Sequence, residues 1–136
     1  MRLAADANVL LSAVIGGHAN LVLKHPKVQE VVTTGRTFAE VEEYALILAK
    51  KKRLPSDLLL LAVASLPVTI VERSEYSRRV PRALKLIGRR DPDDAELLAL
   101  ALQLQVPIWS NDRDFESLNI ELFTTESLLR ELGVIY

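Results

Sequence analysis

Four acidic residues stand where they could do chemistry together. Asp6 directly follows the apolar run Leu3-Ala4-Ala5, and Glu40 sits in Ala39-Glu40-Val41. Asp94 belongs to Asp91-Pro92-Asp93-Asp94-Ala95, and Asp112 to Trp109-Ser110-Asn111-Asp112-Arg113-Asp114-Phe115. Two carboxylates about 4 Å apart repel by roughly 4 kcal/mol at an effective dielectric of about 20, while a helix N-terminus offsets only about 0.3–1 kcal/mol. A cluster of four therefore implies raised pKa values or a bound cation. Cysteine is absent and the two histidines, His18 and His25, form no ligand pair. Thiolate catalysis, disulfides and cysteine-type zinc sites are thereby excluded. Any metal must be held by oxygen, a donor set that selects Mg²⁺ or Mn²⁺.

Each acid also has a plainer reading. Asp91, Asp93 and Asp94 suit any helix N-terminus, Glu40 suits half of a capping box, and Asp112 and Asp114 suit a turn. Asp6 fits least well as a bystander, because an unpaired carboxylate among Leu3, Ala4, Ala5, Val9 and Leu10 is expensive to bury.

Whether the four meet depends on the elements that carry them. Apolar, β-branched runs predict buried parallel strands at Arg2–Ala5, Val28–Thr33, Val68–Val71, Pro107–Ser110 and Ile120–Phe123. Between them helical patterns cover Ala7–Val14, Ala19–Lys24 and a longer span from Thr37 to about Arg53, with Thr37 as cap and Glu40 at the reciprocal position. Ser56 caps a helix over Asp57–Ser65. A basic amphipathic segment spans roughly Glu75–Ile87, with Arg78, Arg82, Lys85 and Arg89 on one stripe opposite Val80, Leu84 and Ile87. Pro81 predicts a kink there or a helix that begins at that point. Asp91 caps an apolar helix with Pro92 at its first position, running to Gln105. A last helix, about Thr125–Leu132, stops at Gly133.

Strands alternating with helices predict an α/β fold, a three-layer α/β/α arrangement around a central parallel sheet of about five strands. In such folds the carboxyl edge of the sheet gathers strand ends and the N-termini of the following helices. That edge would collect all four acids. Glu40 is preferred over Glu42 and Glu43 because it lies nearest its helix start. The length of 136 residues fits one domain over residues 1–136, with no repeat or linker. No apolar run spans a membrane, and the first residues lack the pattern of a signal peptide, so a cytoplasmic location is expected.

In order and spacing, these segments resemble a PIN domain across nearly the whole chain. The resemblance rests on Asp6, Asn8 and Ser12, on Ala39-Glu40-Val41, on Arg90-Asp91-Pro92-Asp93-Asp94-Ala95 and on the Ser110–Phe115 segment. The chain is similar in particular to compact prokaryotic members, including the VapC-type toxins of toxin–antitoxin pairs. The resemblance implies that Asp6, Glu40, Asp94 and Asp112 bind the metal and carry catalysis, with Asp114 auxiliary and Ser110 and Asn8 orienting the acids. Ala7 departs from the pattern, since many members carry Ser or Thr there; the change removes a hydrogen bond near Asp6 but no ligand.

The activity implied is metal-dependent hydrolysis of RNA phosphodiesters, with one or two Mg²⁺ (or Mn²⁺) ions activating water and orienting the phosphate. The basic stripe would contact the flanking backbone, positioning rather than specifying sequence. A net charge of −1 provides no global nucleic-acid signature. No aromatic stacking platform is visible, Trp109 reading as core at a strand end. The partners expected are RNA, a small antitoxin and a second copy in a homodimer. The alternative is a non-catalytic PIN-like interaction module, using the apolar helices Leu58–Leu66 and Leu97–Leu104 as contact surfaces. A phosphoacceptor receiver would need an acidic residue ending a central strand near mid-chain; Asp57 sits at a helix start instead.

Overall fold

The computed structural model of the chain describes residues 1–87 and 91–135. Five short strands form one parallel sheet: β1 (Arg2–Ala5), β2 (Glu30–Thr34), β3 (Thr69–Val71), β4 (Ile108–Trp109) and β5 (Leu122–Phe123). Their order across the sheet is β3-β2-β1-β4-β5. The helices are α1 (Ala7–Val14), α2 (Ala19–Leu23), α3 (Gly35–Lys51), α4 (Ser56–Ala64), α5 (Arg73–Tyr76), α6 (Val80–Ile87), α7 (Pro92–Leu104) and α8 (Thr125–Glu131).

Alternation along the strands builds a core on each face. Leu3, Ala5, Val31 and Trp109 pack with residues of α1, α2, α3, α4 and α8. Ala4, Val32 and Ile108 point the other way and pack with α6 and α7 through Ala83, Ile87, Leu97, Leu98 and Leu100. The result is the expected three-layer α/β/α architecture. Among the described residues, no helix is long and apolar enough to cross a membrane.

Four expectations need correction. The long third helix opens at Gly35, capped by Thr34, whose hydroxyl accepts from the Thr37 amide at 2.9 Å. Thr34 ends a strand paired to β3 and already has the extended backbone a cap requires. Thr37 is thus inside the helix, and Glu40 falls in the second turn, with no acid in the first.

The second correction lies in the basic segment: its helix begins beside Pro81, as that residue predicts, but Leu84 is not on the buried face and the basic residues do not share one helix. Pro81 cannot donate to the preceding turn, and the chain runs as α5, a 3-10 turn over Ser77–Arg79, and α6. Its buried residues are Ala83 and Ile87, while Leu84 is exposed. Ala83 is small enough to let α6 close against α7. Arg78, Arg82 and Lys85 are all exposed, on two different elements; Arg89 lies outside the described residues.

Third, Leu97–Leu104 offers little contact surface, because Leu97, Leu98 and Leu100 are buried against the sheet. Leu58 and Leu61 of α4, by contrast, are 58% and 63% exposed. Finally, α4 is capped at Pro55 rather than Ser56.

Candidate metal centre

The order of strands reverses between β1 and β4, and the carboxyl ends at such a reversal are where sheets of this kind bind ligands. Asp6 leaves β1 directly into α1 and caps it, Oδ1 accepting from the Ala7 amide at 2.7 Å. Its other oxygen, Oδ2, accepts from the Ser110 hydroxyl at 2.7 Å. Ser110 follows β4, is fully buried, and accepts in turn from the Asp112 amide at 3.0 Å. One hydroxyl therefore ties the acid after β1 to the acid after β4. Asp112 accepts from the Asp114 amide at 3.0 Å and so opens a 3-10 turn, Arg113–Phe115, pinned by the buried Phe115. Helix α7 brings its N-terminus to the same edge, with Asp91 as cap and Pro92 at the start, as its sequence predicts.

Asp94, Asp112 and Asp114 each offer an oxygen within 4.8 Å of the others. Asp94 is only 7% exposed. Burial first, and then repulsion from Asp91, Asp6, Asp112 and Asp114, pushes its carboxyl up to about 7. Asp6, 8% exposed, is also raised, chiefly by burial. The bonds from Ser110 and Ala7 oppose that rise, and the charges of Asp112 and Asp91 add to it.

Glu40 is half-buried, and its carboxyl is raised by burial and by repulsion from Asp93, Asp6 and Asp91. Starting from the second turn of α3, it feels the charges of Asp6 and Asp91 but stands outside the close group of Asp94, Asp112 and Asp114. Glu43 is exposed, one turn further along. Asn8 lies exposed on α1 and, among the described residues, bonds to none of the acids.

Sequence reasoning placed Asp114 at the margin, but its oxygen belongs to the tight group. It overlooked Asp91 as the largest charged influence on Asp94. It also overlooked Arg36, whose Nε lies 2.7 Å from Asp93 Oδ1, and Tyr44, which stands one turn from Glu40 and acts on its carboxyl. The Glu40–Tyr44 pair had a legible signal, since residues four apart meet on a helix face.

The two raised acids set a pH dependence. An unfolded chain releases the Asp94 proton near 3.8, while the folded chain holds it to about 7. Between those values the folded state binds more protons, so its stability falls as pH rises. The loss approaches roughly 4 kcal/mol at neutral pH. In chelator, the urea midpoint of unfolding is expected to decline from about pH 5 to about pH 7. A midpoint that is flat or rises across that window would contradict the shared burial of these acids.

A family model described as "PIN domain" matches residues 5–133 of the chain. The chain belongs to the PIN domain family. The matched span of this PIN domain contains all of the acids described above. Solved structures agree on its fold. PAE2754 from Pyrobaculum aerophilum superposes with a TM-score of 0.75 at 17% identity, covering 99% of this chain and 91% of that one. A toxin–antitoxin complex from Klebsiella pneumoniae gives a TM-score of 0.66 at 19% identity, covering 90% and 97%. VapC20 from Mycobacterium tuberculosis, a toxin that cleaves the sarcin-ricin loop, gives 0.61 at 16% identity, covering 87% and 95%. At these identities the likeness is one of fold. No curated protein matches this PIN domain in sequence.

Proposed function

We propose that this PIN domain is a Mg²⁺- or Mn²⁺-dependent endoribonuclease, the toxin of a toxin–antitoxin pair. The observation that carries the reading is Asp94, with Asp112 and Asp114 oxygens within 4.8 Å of it and its carboxyl pushed up to about 7 by burial and then by its acidic neighbours. An all-carboxylate donor set held this close suits a hard divalent cation. Asp94, Asp112 and Asp114 would hold it, with Asp6 and Glu40 completing the rim. Bound there, the cation would offset the acidic charge, orient the scissile phosphate and activate a water.

The remaining work falls to the chain itself. Ser110 keeps one Asp6 oxygen occupied and aligns the two strand ends. Tyr44 stands one turn from Glu40, and its hydroxyl opposes the rise of the Glu40 carboxyl. Arg36 pairs with Asp93 and offsets part of its charge beside Glu40. Exposed Arg78, Arg82 and Lys85 supply cations for the flanking phosphates. The RNA substrate and the antitoxin partner are supported by fold relatives, a sarcin-ricin loop cleaving toxin and a toxin–antitoxin complex.

The test is cleavage of a labelled single-stranded RNA with Mg²⁺ or Mn²⁺, in wild type and Asp6→Asn. Asparagine keeps an oxygen for the Ala7 amide, so the variant folds, yet cleavage is expected to fall by about a hundredfold or more. Equal cleavage by both proteins, or none by either across varied RNAs, would sink the proposal.

A further inference from the structure

From Glu40 at the rim of the metal centre, α3 carries a stripe that continues through residues the centre does not use. Glu40, Tyr44, Ile47, Leu48 and Lys51 recur at spacings of three and four, and so share one face of the helix. Two adjoining clefts lie along that face. The first, polar one is lined by Arg36, Glu40, Glu43, Tyr44 and Asp93. The second, a largely apolar trough of about 320 Å³, is lined by Asn8, Leu11, Tyr44, Ile47, Leu48 and Lys51. Tyr44 lines both. It is 39% exposed and stands one turn from Glu40 on the same helix face.

We infer that this trough is a nucleotide subsite, in which Tyr44 stacks on a base of single-stranded RNA next to the cleaved phosphodiester and Lys51 contacts a phosphate beyond it. The inference rests on the nuclease reading of the acidic centre and extends it to a substrate track.

The chemistry along the stripe changes in the order an extended strand would need. Carboxylates stand at one end, then an aromatic ring, then apolar walls with the Asn8 amide, then an exposed ammonium. From Glu40 to Lys51 the helix rises about 16 Å, room for several extended nucleotides. Aromatic faces accept any base, because every base has a π-face. Tyr44, one turn from Glu40 on the same helix face, sets its ring beside the reacting end. An apolar polypeptide could also fill the trough, but it would make no use of the continuity with the acids.

The probe is a short labelled 2′-O-methyl oligouridylate, its binding followed by anisotropy in Mg²⁺ at several salt concentrations. Tyr44→Leu should weaken binding about tenfold, while Tyr44→Phe, which keeps the ring and loses only the hydroxyl, should stay within about twofold. Lys51→Gln should reduce the slope of log affinity against log salt by about 0.7, the share of one phosphate on a single strand. A scan of single abasic positions should find one whose loss costs wild type about tenfold and costs Tyr44→Leu nothing. If wild type binds and cleaves RNA and the variants bind with unchanged affinity and salt slope, the subsite is overturned while the nuclease reading stands. If wild type neither binds the oligomer nor cleaves RNA, both fall.

Discussion

Asp94→Asn is expected to move two properties in opposite directions. Cleavage should fall by on the order of a thousandfold, since a ligand to the cation is worth several kcal/mol in the transition state. The metal-free protein should at the same time become more stable by about 1–3 kcal/mol near neutral pH. The reason is electrostatic. Asp94 is buried at the start of α7 with Asp91, Asp6, Asp112 and Asp114 around it, and its carboxyl is held up to about 7. Its ionisation at neutral pH therefore opposes folding, and asparagine removes the charge at nearly constant volume. Divalent metal should raise the melting temperature of wild type and leave Asp94→Asn nearly unmoved. A purely structural Asp94 would do the reverse, its loss lowering stability and leaving any metal response intact. Thermal melts with and without Mg²⁺, beside single-turnover cleavage, separate the two.

The second large effect lies in the core under the site. Trp109 ends β4, is fully buried, and donates from Nε1 to the Thr125 hydroxyl at 3.0 Å. Thr125 is the first residue of α8, and its amide donates to the Asn111 side chain at 2.9 Å. One indole therefore packs the core, sets the start of α8 and steadies the segment leading to Asp112. Trp109→Ala should cost about 3–5 kcal/mol, because it opens a cavity against Leu3, Ala5 and their neighbours. In a chain of this size that lowers the melting temperature by roughly 10–20 °C. Trp109→Phe keeps most of the volume and should cost about half as much. If Trp109→Ala melts within about 3 °C of wild type, the account of this packing is wrong.

These two residues show what was readable before the fold was known. The start of α7 was legible because Asp91 and Pro92 are a cap and a first-turn proline, whose preferences are local. Trp109 was legible as core, and Asp6 as unusual, because each is a single side chain in an apolar run. Other features were settled by contacts between distant segments. Thr34 and Thr37 are both competent caps, and only the pairing of β2 with its neighbours, which holds Thr34 extended, decides between them. Leu97–Leu104 reads as an apolar helix whichever way it faces; packing on the sheet makes it core rather than surface. Asp114 resembles a turn residue until the 3-10 turn after β4 carries it to Asp94.

The acidic centre divides along the same line. The sequence by itself determined the donor chemistry: oxygen ligands, no thiolate, acids at strand ends and helix starts. Those are matters of residue type and of neighbours within a turn or two. Only the tertiary structure decided which acids share a site and which of them is strained. Placing Asp94 within reach of Asp112 and Asp114, and linking Asp6 to Asp112 through Ser110, depends on the crossover that sets β4 beside β1. Repulsion and burial depend on distance in space, and residues so far apart along the chain carry no local record of it.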